Sequence, residues 1–129
     1  MSKPVLNYII ICESVIVSED GKFSILNIFS EINAKQFPAA HPKFVIVSNT
    51  KGEPGNYKQK IEIVNLQDNS VAAKVESSFG IKEGGINVFF GNFVNTIFNN
   101  SGKYWIKVTY DDKDVVTNEN DNFFFVKQL

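Results

Sequence analysis

Apolar residues recur in this chain at every second position, and that period decides which folds are open to it. In Tyr104-Trp105-Ile106-Lys107-Val108-Thr109-Tyr110, the residues Tyr104, Ile106, Val108 and Tyr110 share one face, while Trp105, Lys107 and Thr109 share the other. Residues 71–79 alternate too, with Lys74 and Glu76 outward, and residues 57–66 set Ile61 and Ile63 against Lys58, Lys60 and Glu62. Phe23, Ile25 and Phe29 alternate with Ser24 and Ser30. Strands of this kind bury one face and wet the other, as in antiparallel sheets.

Turn signals separate the runs at regular intervals. They are Glu19-Asp20-Gly21-Lys22, Lys51-Gly52-Glu53-Pro54-Gly55-Asn56, Gln67-Asp68-Asn69-Ser70, Lys82-Glu83-Gly84-Gly85, Asn99-Asn100-Ser101-Gly102 and Asp111-Asp112-Lys113-Asp114. The expected strands span residues 5–17, 22–32, 43–49, 57–66, 70–79, 86–98, 103–110, 114–117 and 122–127. No stretch has the caps and periodicity of a helix; the best places for one short turn are residues 33–36 and 93–98. The reading is an all-β protein, a two-sheet antiparallel β-sandwich of the Ig-like kind with about seven to nine strands. The 129 residues make one domain, residues 1–129, without repeat or linker.

Several positions together resemble a family of bacterial and archaeal proteins catalogued as a domain of unknown function. They are Tyr8 in an apolar first strand, Asp20-Gly21-Lys22, Ser24-Ile25-Leu26-Asn27-Ile28-Phe29, Phe37-Pro38, His41-Pro42 before the strand from Phe44, and Gly102-Lys103-Tyr104 near the end. The resemblance covers nearly the whole chain and implies a small all-β, Ig-like sandwich; it implies no activity, ligand or catalytic residue. Gly102-x-Tyr104 has physical content of its own. A tyrosine opening a late sandwich strand can hydrogen-bond back to the loop before it, with Gly102 supplying a positive φ.

Charge excludes a class of partner. The 13 basic side chains are all lysine, against 14 acidic ones. Without the planar fork of arginine or a basic surplus, nucleic acid is not an expected partner. The segment Val5–Cys12 is interrupted by Asn7 and ends at Glu13, so it reads as a strand of an unprocessed, cytoplasmic protein rather than a signal peptide. No window reaches the ~18 apolar residues of a membrane helix, so no membrane is expected either.

Candidate chemistry is sparse. Cys12 is the lone cysteine, so no intrachain disulfide forms, and it follows three isoleucines; His41 is the lone histidine. A buried thiol without a neighbouring cation stays protonated, which argues against a Cys12–His41 pair and, with one ligand of each kind, against zinc. Asp111, Asp112 and Asp114 form a weak calcium candidate. The next acidic loop, residues 118–122, would sit at the other end of strand 115–117, roughly 10–13 Å away, and Asp and Asn favour turns for local reasons. Glu13 and Glu31 stand inside or beside apolar strands, the position expected of a buried carboxylate. With no Gly-rich phosphate loop and no substrate groove, no enzyme, cofactor or metal is expected.

What remains is surface. The first strand is apolar on both sides, Val5, Ile9 and Ile11 on one and Leu6, Tyr8 and Ile10 on the other, and Phe123-Phe124-Phe125-Val126 is similar. With Phe89, Phe90, Phe93 and Phe98, this is a large apolar surface for so small a sandwich to hide, to be taken up either by the core and an irregular crossover or by a homodimer or partner surface. The expected function is therefore a non-enzymatic module acting through protein contact or self-association, with Trp105, Phe89, Phe90 and Phe93 as binding residues and a homodimer or another protein as partner. The alternative is a small-ligand or carbohydrate-binding module in which outward-facing Trp105 stacks on a sugar ring.

Overall fold

The structure, a computed structural model, describes residues 3–129. Ten strands run in chain order: β1 (Val5–Val17), β2 (Phe23–Ile28), β3 (Glu31–Ala34), β4 (Ala39–Lys51), β5 (Gly55–Asn65), β6 (Val71–Ile81), β7 (Ile86–Phe98), β8 (Gly102–Tyr110), β9 (Asp114–Val115) and β10 (Phe123–Gln128). They form a four-stranded sheet, β2-β1-β4-β7, and a six-stranded one, β3-β10-β8-β5-β6 with β9 on β8. The all-β, two-sheet expectation holds. One of the two sheets is curled as a half-barrel, a departure from the paired flat sheets of the Ig-like expectation.

Three local differences have physical causes. The expected strand 22–32 is two strands, because the chain leaves one sheet after Ile28 and joins the other at Glu31. There β3 runs parallel to β10, from Glu31↔Phe125 to Ala34↔Gln128, so the pairing is not wholly antiparallel. The strand expected at 43–49 starts earlier, at Ala39, because Ala39–His41 pairs with Thr96–Phe98 of β7. A bulge between Leu6 and Tyr8 moves Leu6 to the core side with Ile9 and Ile11, where strict alternation had set it beside Tyr8 and Ile10.

The main core lies between the sheets. Phe44, Ile46 and Phe93 from the four-stranded sheet meet Ile61, Ile63, Tyr104, Ile106, Val108, Tyr110 and Phe124 from the other. Phe44 and Phe93 stack at 4.8 Å, and Phe98, Tyr104 and Phe124 form an aromatic cluster with centroids 5.0–6.1 Å apart. Two buried polar contacts join the layers: Ser48 Oγ donates to Gln59 Oε1 at 3.1 Å, and Thr50 Oγ1 lies 2.6 Å from the Tyr110 hydroxyl. Pairing these groups removes the penalty of burying them.

The expected tyrosine corner is present. Gly102 sits at φ 143°, and the Tyr104 hydroxyl donates to the Asn100 carbonyl at 2.7 Å while accepting from Asn65 Nδ2 at 3.2 Å. Gly55-Asn56-Tyr57 repeats the device: Tyr57 donates to the Glu53 carbonyl at 2.7 Å.

Candidate functional site

A second apolar cluster lies on the outer side of the four-stranded sheet. Cys12, Val45 and Val47 are fully or almost fully buried there, surrounded by Tyr8, Ile10, Val15, Phe23, Ile25, Val88 and Phe90. What covers them is the chain's own hairpin. Along one sheet row Ile10 pairs with Val47 and Val47 with Phe90. Phe23 pairs with Val17, seven residues past Ile10, which on a straight hairpin would be roughly 23 Å along the strand. Instead the Phe23 and Phe90 rings meet edge to face at 5.2 Å. The hairpin from Ser14 to Leu26 therefore folds back across β4 towards β7 as a strap.

The bend has a visible cause. β1 pairs with β4 only as far as Cys12↔Val45; beyond it the hairpin pairs with itself. Asn27 adopts φ 57°, and its amide donates to the Glu13 carboxylate at 2.9 Å. That left-handed residue reorients the ribbon, so Cys12 and Val15 face the same cluster although their numbers differ in parity. Under the strap a crevice of about 210 Å³ is lined by Val15, Val17, Lys43, Val45, Phe90 and Asn92. On the strap, Ile16 and Val17 stay 57% exposed and Leu26 is exposed as well; Ile28, just past the bend and paired with Cys12, is also exposed.

The predicted binding residues separate onto different surfaces. Phe90 lies beneath the strap. Phe93 is 4% exposed and stacked on Phe44, and Phe89 packs half-buried against the same core, because alternation along the first half of β7 sends odd-numbered residues inward; past Asn95, at φ 52°, the parity changes and Phe98 is the one buried. The three therefore share no common surface: Phe89 and Phe93 face the main core and Phe90 the outer cluster. Trp105 faces outward from the six-stranded sheet, half-buried beside its cross-strand neighbours Val64 and Phe123. Lys107 Nζ lies 5.6 Å from its ring centre, and the indole N–H is buried with no hydrogen-bond partner. Phe123 and Phe125, 5.4 Å apart, extend this aromatic row, and Lys103 Nζ sits 4.2 Å above Phe123. The alternation of Phe123-Phe124-Phe125 was the signal for that row.

The residues considered for catalysis do not assemble. Cys12 belongs to the outer cluster, where burial raises its thiol pKa above the ordinary 9.0. His41 packs beside Phe29 and Phe44 on the core side, so the sheet separates the two. The expected burial of Glu13 and Glu31 is corrected: both are exposed, at positions where the strand face meets solvent. A hydrogen bond and charge from Lys127, whose Nζ is 2.7 Å away, lower the Glu31 pKa.

The calcium candidate is dispersed as well. Asp111 Oδ1 accepts from the Lys58 backbone N–H at 2.9 Å, Asp112 Oδ2 lies 3.7 Å from Lys58 Nζ, and Asp114 Oδ1 is 3.2 Å from Lys3 Nζ. Asp111 and Asp112 both have positive φ, 51° and 61°, and form the central pair of a type I′ hairpin turn. Among the described residues no three His, Cys, Asp or Glu side chains gather as a metal site, and no helix is long and apolar enough to cross a membrane.

No curated protein matches this sequence. The model of one family, described as a family of unknown function (DUF6941), matches residues 7–118, and since that match takes in nine of the ten strands, all but β10, the chain belongs to that family.

Proposed function

We propose that the protein is a non-enzymatic, cytoplasmic contact module of Ig-like type that acts through self-association or binding to another protein, and that the strap carries the contact. One observation supports this reading: Ile16, Val17 and Leu26 stand exposed on the strap, with Ile28 exposed at its base, above an apolar cluster. Grouped exposed aliphatics mark association surfaces more often than singly scattered ones do. The net charge of −1 adds little long-range repulsion between copies.

Light scattering coupled to size exclusion tests it. At about 0.5 mM, a range that detects weak association, the wild-type chain is expected to run above monomer mass. The double variant Ile16→Lys, Ile28→Lys is expected to run as a monomer with an unchanged circular-dichroism spectrum. A wild-type monomer at that concentration refutes self-association.

A second reading rests on the row Trp105–Phe123–Phe125 with Lys103: a small-ligand site in which a flat sugar face stacks on Trp105. Titrating Trp105 fluorescence against a glycan panel tests it, and an emission unmoved by every glycan removes its support.

A further inference from the structure

We propose that the strap is exchanged between two copies of the chain, each copy's Ser14–Leu26 hairpin covering the outer face of the other's four-stranded sheet. This rests on the self-association reading and names its partner, a second copy.

The hairpin is a self-contained unit. From Ser14↔Leu26 to Val17↔Phe23 its ladder partners are its own residues, so leaving the body breaks none of that ladder. It is tied to the body by apolar packing around Cys12, Val45 and Val47 and by the ring contact of Phe23 with Phe90. All of these contacts can form equally between copies. The occupant of the outer face is thus already known in chemical detail: a strap with this sequence fits it, because one is seated there.

The bend favours opening. It passes through two residues, Glu13 and Asn27, joined by one exposed hydrogen bond, and Asn27 holds a left-handed φ of 57° that asparagine adopts at some cost. Straightening the ribbon at these positions releases that conformation and carries the strap away from its own sheet. Exchange of an identical element also yields a closed two-fold pair rather than an open filament.

Mixed-isotope NMR tests this on the unmodified chain. Equal amounts of carbon-13-labelled and unlabelled protein are unfolded together in urea, refolded and concentrated, and isotope-filtered NOEs are recorded. Dimers with interchain NOEs between the Phe23 and Phe90 rings are the expected result. Dimers whose Phe23–Phe90 NOEs are wholly intrachain overturn exchange and leave self-association standing. A monomer by light scattering overturns both.

Discussion

The Tyr104 hydroxyl reaches back four residues to the Asn100 carbonyl at 2.7 Å, fastening the loop before β8 to the core. Asn65 Nδ2, itself buried, shares the same oxygen. Removing that oxygen leaves an amide donor and a carbonyl without their partner. Tyr104→Phe is therefore expected to lower stability by about 1–3 kcal/mol, with the urea midpoint falling at constant slope. Tyr57→Phe breaks the matching bond to Glu53, which is less buried, and should cost less in the same assay.

Packing of the main core gives a larger effect. Phe44 is wholly buried and stacked face to face on Phe93, with Phe124 6.3 Å away. Phe44→Ala is expected to lose about 3–5 kcal/mol in chemical denaturation, through lost transfer energy and the cavity left behind.

Alkaline pH should weaken the fold. Burial raises the Cys12 thiol above its ordinary 9.0 and the Tyr104 and Tyr110 phenols above their ordinary 10.0. The folded state thus holds these protons more tightly than the unfolded chain does. The stability they contribute is intact below the unfolded values and is lost as pH rises from 9.0 through 10.0 towards the folded ones. Urea midpoints measured from pH 7 to 11 are expected to fall across that window, and Cys12→Ala should flatten its lower part.

Turn chemistry offers a stabilising change. Asp112 occupies a left-handed position, φ 61°, in the β8–β9 hairpin. Glycine suits that conformation, and the 3.7 Å ion pair to Lys58 is exposed and contributes little. Asp112→Gly is expected to gain about 0.5–1 kcal/mol, and Asp112→Val to lose about 1–2 kcal/mol, both read from thermal melting.

Trp105 carries a buried N–H with no acceptor. Trp105→Phe removes that donor and keeps most of the ring, so its stability should stay within about 1 kcal/mol of wild type. A larger loss by urea denaturation would mean that the indole N–H has an acceptor in solution.

Period two made the strands and the outward position of Trp105 legible in the sequence, because parity is a local property. The parallel pairing of β3 with β10 was not, since it joins residues far apart in the chain and no local pattern encodes a partner. The strap was hidden for a related reason. Residues 5–17 and 22–32 read as straight strands, and nothing in Glu13 or Asn27 alone announces a left-handed bend. Counting Phe residues in 86–98 overstated the free surface, because Phe89, Phe93 and Phe98 turn into the core and only Phe90 turns out.

Val45 and Ile46 are neighbours on β4, yet their side chains belong to different compartments, one roofed by the strap and the other sealed between the sheets. One peptide bond thus separates two reporters of opening. The Val45 methyls sense any loosening of the hairpin, while those of Ile46 stay silent until the whole molecule comes apart, so relaxation measured at both would time the two events separately within a single strand.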